Sequence, residues 1–436
     1  MKGVRGAYRN YLLTVLLLIL ACNSVDRLAL GLMLQNIKAD LHLSDTQLGF
    51  LSGIAFALFY SVMGIPIARW ADRGNRVQII GITTALWSVA VAFCGAVGSF
   101  AQLVSIRVAV AVGEAGCIPP AHSLIADHFD RAERPRAVAR YMLGSPLSVV
   151  IGYFLAGWLN QFYGWRITFA LLGLPGVALA VLASSTLREP RIDQRSATRP
   201  ADSALVSPGA EPSSQAEPSV KEVLVTLWAN RTFRHLLFAF SVAYFFGSGI
   251  MKWQPAFLIR SFGLETGELG TWFAVIWGLG GFVGTFWGGE LAARRAAKNE
   301  PLQLRAMAFA YCVLAVLSAC IYLSANVYMA FAFMGVAALG ITAITGPLFA
   351  TIQTLVPERM RAMSIALIYL FANLVGAGLG PLAAGVLSDA FRPLFGEESL
   401  RYALLVLSPG YFWCGWHLWR GSRSVARDIE GSACTR

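Results

Sequence analysis

The stretch from Tyr11 to Ile37 is almost wholly apolar, and eleven more stretches like it follow along the chain. A bilayer core about 30 Å thick takes roughly 20 mostly apolar residues in helical form. In hydrocarbon the backbone N–H and C=O groups must be satisfied inside the segment, which makes such stretches helices. Twelve spans are therefore predicted, at 9–36, 47–70, 76–98, 101–126, 136–160, 166–187, 233–259, 267–293, 303–324, 326–354, 361–388 and 399–420. The fold class expected is an all-α membrane protein with twelve transmembrane helices. Composition agrees, with 56% hydrophobic and 14% charged residues, where a soluble domain carries about a quarter charged.

The net charge of +11 raises the question of nucleic acid, and its placement answers it. Of 35 Lys and Arg, 27 lie in the amino-terminal tail, one set of alternate loops, the central linker and the carboxy-terminal tail. Five lie in the opposite loops (Lys38, Arg166, Arg260, Arg392, Arg401) and three within spans (Arg27, Arg107, Lys252). This bias puts both termini in the cytoplasm. No base-reading or stacking element accompanies the charge, so nucleic acid is not an expected partner. The seven Cys show no metal-ligand or disulfide spacing and read as packing residues. "ILAC" at 19–22 faintly resembles a lipoprotein signal, but the apolar run continues past it to Ile37, so a first span is expected instead.

The Pro-, Ser- and Arg-rich segment after the sixth span has little to bury and reads as a flexible linker. The expected organisation is a six-helix bundle over 1–187, a cytoplasmic linker over 188–232, and a second six-helix bundle over 233–436 with a short cytoplasmic tail. The halves look related: "LSDTQLG" at 43–49 parallels "LETGELG" at 264–270, and 134–159 parallels 359–387. Two six-helix repeats resemble the plan of major facilitator transporters, which implies a substrate site near the midplane between the halves. The loop "ADRGNR" after the second span resembles that superfamily's signature loop. Asp72, Arg73 and Arg76 are the expected gating residues there, latching the cytoplasmic side through a helix terminus or an ion pair.

Ionisable groups inside spans are costly and mark function or tight pairing. Arg107 and Glu114 lie seven residues apart, on nearly one helix face, while Asp26 and Arg27 diverge by about 100°. Arg27 is therefore expected to turn toward Glu114, with Asp26 facing the cavity or Asn23. A carboxylate whose Arg partner comes and goes can bind and release a proton, which makes Asp26 and Glu114 the candidate proton-coupling pair. Arg27 and Arg107 are candidates to attract an anionic headgroup. In the second half Tyr244, Ser248, Lys252, Gln254, Thr342, Thr345, Gln353, Tyr369 and Asn373 lie within spans, and of these Lys252, Tyr369 and Asn373 are taken as substrate-binding candidates. Lys252 could instead snorkel to the outer face. No nucleophile elbow, phosphate loop or metal-ligand pair occurs, so no enzyme activity, metal or bound cofactor is expected.

"SVDRLALG" in the first span, "SDTQLGFLSGIAFALFYSVMGIPIARWADRGNR" through the second, and "RVAVAVGEAG" with "IPPAHSLIAD" in the fourth resemble the Spinster family of lipid transporters, especially its bacterial members. The resemblance implies transport of an amphipathic anionic lipid, such as a lysophospholipid or sphingosine 1-phosphate, coupled to protons. It also implies Asp26, Arg27, Arg107 and Glu114 as the functional cluster; a monomer in a bacterial inner membrane is expected. Proton symporters for small organic anions share the Asp-Arg pair and the Arg…Gly-Glu-Ala pattern, so sugar acids or carboxylates stay open as substrates.

Overall fold

The computed structural model describes residues 2–190, 220–295, 299–356 and 360–434. Among the described residues, ten continuous apolar helical runs are long enough to cross a bilayer. Eight are single crossings: α1 (Gly6–Leu41), α2 (Asp45–Arg73), α3 (Arg76–Cys94), α4 (Phe100–His128), α7 (Arg231–Phe262), α8 (Thr266–Ala292), α9 (Glu300–Leu323) and α10 (Val327–Leu355). The other two, Arg134–Thr186 and Met363–Ser422, span 53 and 60 residues, far more than one crossing needs. Each folds back at a glycine with positive φ, Gly164 (φ 77°) and Gly396 (φ 57°), a conformation glycine reaches without steric penalty. They supply α5 (134–163), α6 (165–186), α11 (363–395) and α12 (399–422), which completes the twelve helices.

The bundle has two ends. The terminal end carries the start of α1 and the end of α12; the distal end carries the turns at 42–44, 95–99, 164, 263–265, 324–326 and 396–398. Within 188–232, the stretch 191–219 lies outside the described residues, and Val220–Ala229 is helical.

The halves meet chiefly along α2 on α11 and α5 on α8, with α1 also packed against α7. The first two pairs each couple elements of the sequence repeat. Glycine makes the approach possible: a Cβ on Gly157 would lie 2.4 Å from the Thr266 carbonyl oxygen, and one on Gly270 would lie 2.3 Å from that of Tyr153. Helix backbones come this close only over small residues. Two helices at the interface also carry a widened π turn, Ala274–Leu279 in α8 and Ala372–Ala377 in α11, a local defect that often marks functional segments.

Candidate functional site

The α1 and α4 charges form one buried cluster. Arg107 Nη1 donates to Asp26 Oδ2 at 2.6 Å, and Arg27 Nε lies 3.1 Å from Glu114 Oε2. Arg27 Nη2 also donates to Asn23 Oδ1 at 3.2 Å. Phe56 of α2 lies beneath both guanidinium groups, 5.3 Å from Arg27 and 5.4 Å from Arg107, and Tyr60 lies 5.8 Å from Arg27. These rings attract the cations through their faces. Three carboxylate oxygens, Asp26 Oδ1 and both of Glu114, accept no hydrogen bond among the described residues.

The predicted Arg27–Glu114 pair is present. The expected orientation of Asp26 needs correction: it does not face a cavity or Asn23 but is 1% exposed and turned inward onto Arg107. Arg107 is equally buried, at 1%, and is shielded by Phe56, so it offers no free surface to a headgroup in this conformation. Long guanidinium stems explain the pattern. Arg107 and Glu114 lie about 10 Å apart along their helix, yet both reach adjacent residues of α1.

Arg27 is the member of the cluster that opens onto a cavity of about 390 Å³. Its body lies in the second half, walled by Phe240, Tyr244, Met251, Trp277, Tyr311 and Ile341. Ser248, Gln254, Ser318 and Thr345 supply scattered polar atoms. Lys252 stands at the Arg27 side with its Nζ bonded to the Ser52 carbonyl oxygen, so it crosses between the halves and does not snorkel outward. The other two expected binding residues sit elsewhere. Tyr369 stacks on Phe349 with centroids 5.3 Å apart and meets Phe240 edge-on at 5.8 Å, and is not among the residues lining this cavity. Asn373 belongs to the π turn of α11 and is likewise outside the cavity lining.

At the loop after α2, Asp72 and Arg73 are exposed. Arg76 is fully buried, bonded to Glu189, to Asp127 at 2.7 Å and to Ser123 at 3.0 Å, all in its own half. It clamps α3 to α4 and to the segment that follows α6.

A second cluster, at the distal end, joins the halves. Asp45 begins α2, where Ser44 and Gln47 form a capping box. Its carboxylate accepts from both terminal nitrogens of Arg260 on α7, at 2.7 and 2.8 Å, from Lys38 at 2.7 Å and from Ser388 of α11 at 2.6 Å. Asp389 of α11 accepts in turn from the backbone N–H of Asp45 at 3.0 Å and of Thr46 at 2.7 Å. The α2 amino terminus, with its partial positive charge, is thus capped across the interface. Nearby, Asn160 of α5 donates to Thr266 of α8 at 3.0 Å. The distal end is shut.

Residues 16–381 match the family model described as Major Facilitator Superfamily. An MFS-type efflux pump of Mycolicibacterium smegmatis is 32% identical over 421 residues, covering 95% of this chain and 93% of that protein. A probable galactarate/D-glucarate transporter of Bacillus subtilis is 26% identical, covering 69% of this chain and 68% of its own. Among solved structures, a bacterial homolog to the human lysosomal transporter Spinster, inward-facing and unoccupied, superposes with a TM-score of 0.84 at 28% identity, covering 97% of this chain and 98% of that one. With twelve helices, two packed halves and ionisable groups at the interface, the chain belongs to the Major Facilitator Superfamily as a transporter of the Spinster type.

Proposed function

We propose that this transporter moves an amphipathic anionic lipid, of the lysophospholipid or sphingosine 1-phosphate kind, in exchange or together with protons. The observation that carries the reading is the cavity: an aromatic and aliphatic body with two cations, Arg27 and Lys252, at one side. Apolar walls gain about 25 cal/mol for each Å² of acyl surface removed from water. A phosphate beside Arg27 can form charge-assisted hydrogen bonds and would compete with Glu114 for the same guanidinium. Loss of that partner disfavours the ionised form of Glu114, and Asp26 next to Arg107 provides a second carboxylate. Substrate and proton occupancy are thereby linked through one cation. With the termini in the cytoplasm, the sealed distal end faces outward and the conformation is inward-facing.

The sugar-acid relative from Bacillus subtilis supports a second reading, a symporter for small organic anions. A polyhydroxylated acid would need polar partners on every side, and the cavity walls supply few. Thermal unfolding of the purified protein separates the two. Stabilisation by a lysophosphatidate at micromolar concentration, with none from a hexuronate or aldarate, supports the lipid reading. Stabilisation by the sugar acid alone overturns it.

A further inference from the structure

At the terminal end of the second half lies another cavity, about 590 Å³, between the start of α7, the end of α12 and the short helix Val425–Cys434. Arg231 and Arg234 enter it from α7, Arg420 from α12, and Arg423 and Arg427 from the segment beyond. Among the described residues these five guanidinium groups make no ion pair. Asp428, the acid beside them, accepts from the Thr232 backbone N–H at 2.8 Å. His417, which is buried, and His235 form the floor, their Nδ1 atoms 3.1 Å apart. Thr232 and Ser424 hydroxyls, 2.7 Å apart, fasten the short helix to α7, so the cavity is a built feature.

Five cations this close repel one another, and a polyoxygen anion relieves the repulsion. Two of them are already positioned: Arg423 stacks on Trp419 at 3.7 Å, and Arg420 lies over Trp416 at 5.7 Å. The surroundings point to the source of the anion. Trp228, Trp413, Trp416 and Trp419 are exposed on the same end, where tryptophan marks the boundary between headgroups and hydrocarbon. Phe238, two turns deeper on α7, lines the cavity and is also exposed, so the charged pocket continues onto an apolar surface of acyl-chain depth.

We infer that this cavity is a binding site for the phosphodiester headgroup of an anionic membrane phospholipid, separate from the transport cavity. Basic pockets between transmembrane helices suit such headgroups. The site ties α7 to α12 at the end where the second half must move against the first. A phospholipid there holds these helices together without entering the transport path.

Native mass spectrometry of the full-length detergent-solubilised protein tests this, with phosphatidylglycerol and phosphatidylcholine supplied in equal amounts. Wild-type protein is expected to retain phosphatidylglycerol preferentially. Each guanidinium removed should weaken retention about fivefold, from ~1 kcal/mol per basic residue near an anionic headgroup. R234Q/R420Q/R423Q should therefore lose about a hundredfold, while R131Q/R136Q/R305Q, which removes equal charge elsewhere on the same end, keeps wild-type retention. If the triple variant does not fold, R423Q alone carries the fivefold expectation. Equal binding of the two lipids by wild-type protein overturns the inference. So does equal loss in both triple variants, or displacement of the lipid by inorganic phosphate at matching concentration, which would mark a site for free anions.

Discussion

Substituting Asp45→Asn should open the distal end. Asp45 is 1% exposed and takes two hydrogen bonds from Arg260 and one each from Lys38 and Ser388. The Arg260 side chain is itself only 3% exposed. Removing the carboxylate charge strands Arg260 and Lys38 together in a dry site. Breaking one side of a buried pair costs about 3–5 kcal/mol. At a factor of ten for each ~1.4 kcal/mol, the closed-to-open ratio falls by roughly two to three and a half orders of magnitude. Asp389 still caps α2 in the variant, so the lower end of that range is the expectation. In the opened state water reaches Arg260 and the penalty vanishes, which makes the effect a shift of conformation and not a loss of fold. Spin labels at exposed positions 96 and 394, one on each half at the distal end, report it by pulsed electron resonance. The expected result is a new, longer distance population. An unchanged distribution in Asp45→Asn, with the protein folded, would refute the reasoning and leave the cluster as packing.

Glu114→Gln should leave Arg27 without its buried counter-charge, raising affinity for an anionic lysolipid several-fold in a binding titration while removing the pH dependence of that binding. Gly270→Val should force α8 away from α5, because even a Cβ at this position would lie 2.3 Å from the Tyr153 carbonyl oxygen; cysteine accessibility at the distal end should rise while protein yield is kept. Shortening the linker within 191–218, with enough reach left, should preserve substrate flux in liposomes.

How far the sequence reveals such features depends on the range over which they are encoded. Span positions are local: twenty apolar residues in a row say helix wherever they lie. The Arg27–Glu114 pair is legible because 100° between adjacent residues separates Asp26 from Arg27 and leaves only one of them for a given partner. Helical geometry does not state which way α1 is rotated, so it points Asp26 toward a cavity when the side chain is turned to Arg107. The Asp45 cluster is not legible. "LSDTQLG" reads in the sequence only as one copy of a repeat, and the structure adds that Ser44 and Gln47 form a capping box there. Its partners Arg260 and Asp389, however, lie 215 and 344 residues away, and no periodicity links them. An acid at a loop edge seven residues after Lys38 is the available signal. Lys252, Ser248 and Gln254 fall on the cavity from their α7 positions, whereas Tyr369 and Asn373 are not among its lining residues, because polarity within a span does not reveal which face meets the cavity.

The central claim is that proton and lipid share the Arg27 cluster. It is tested most directly in proteoliposomes containing a pH-sensitive dye, with a lysophosphatidate added outside under an imposed pH gradient. The account predicts lysolipid-dependent proton flux in the wild type, no flux above background in Asp26→Asn with lysolipid binding retained, and no response of either protein to a hexuronate. Full proton-driven lysolipid transport by Asp26→Asn, or flux in the wild type with the hexuronate and not with the lysolipid, would contradict it.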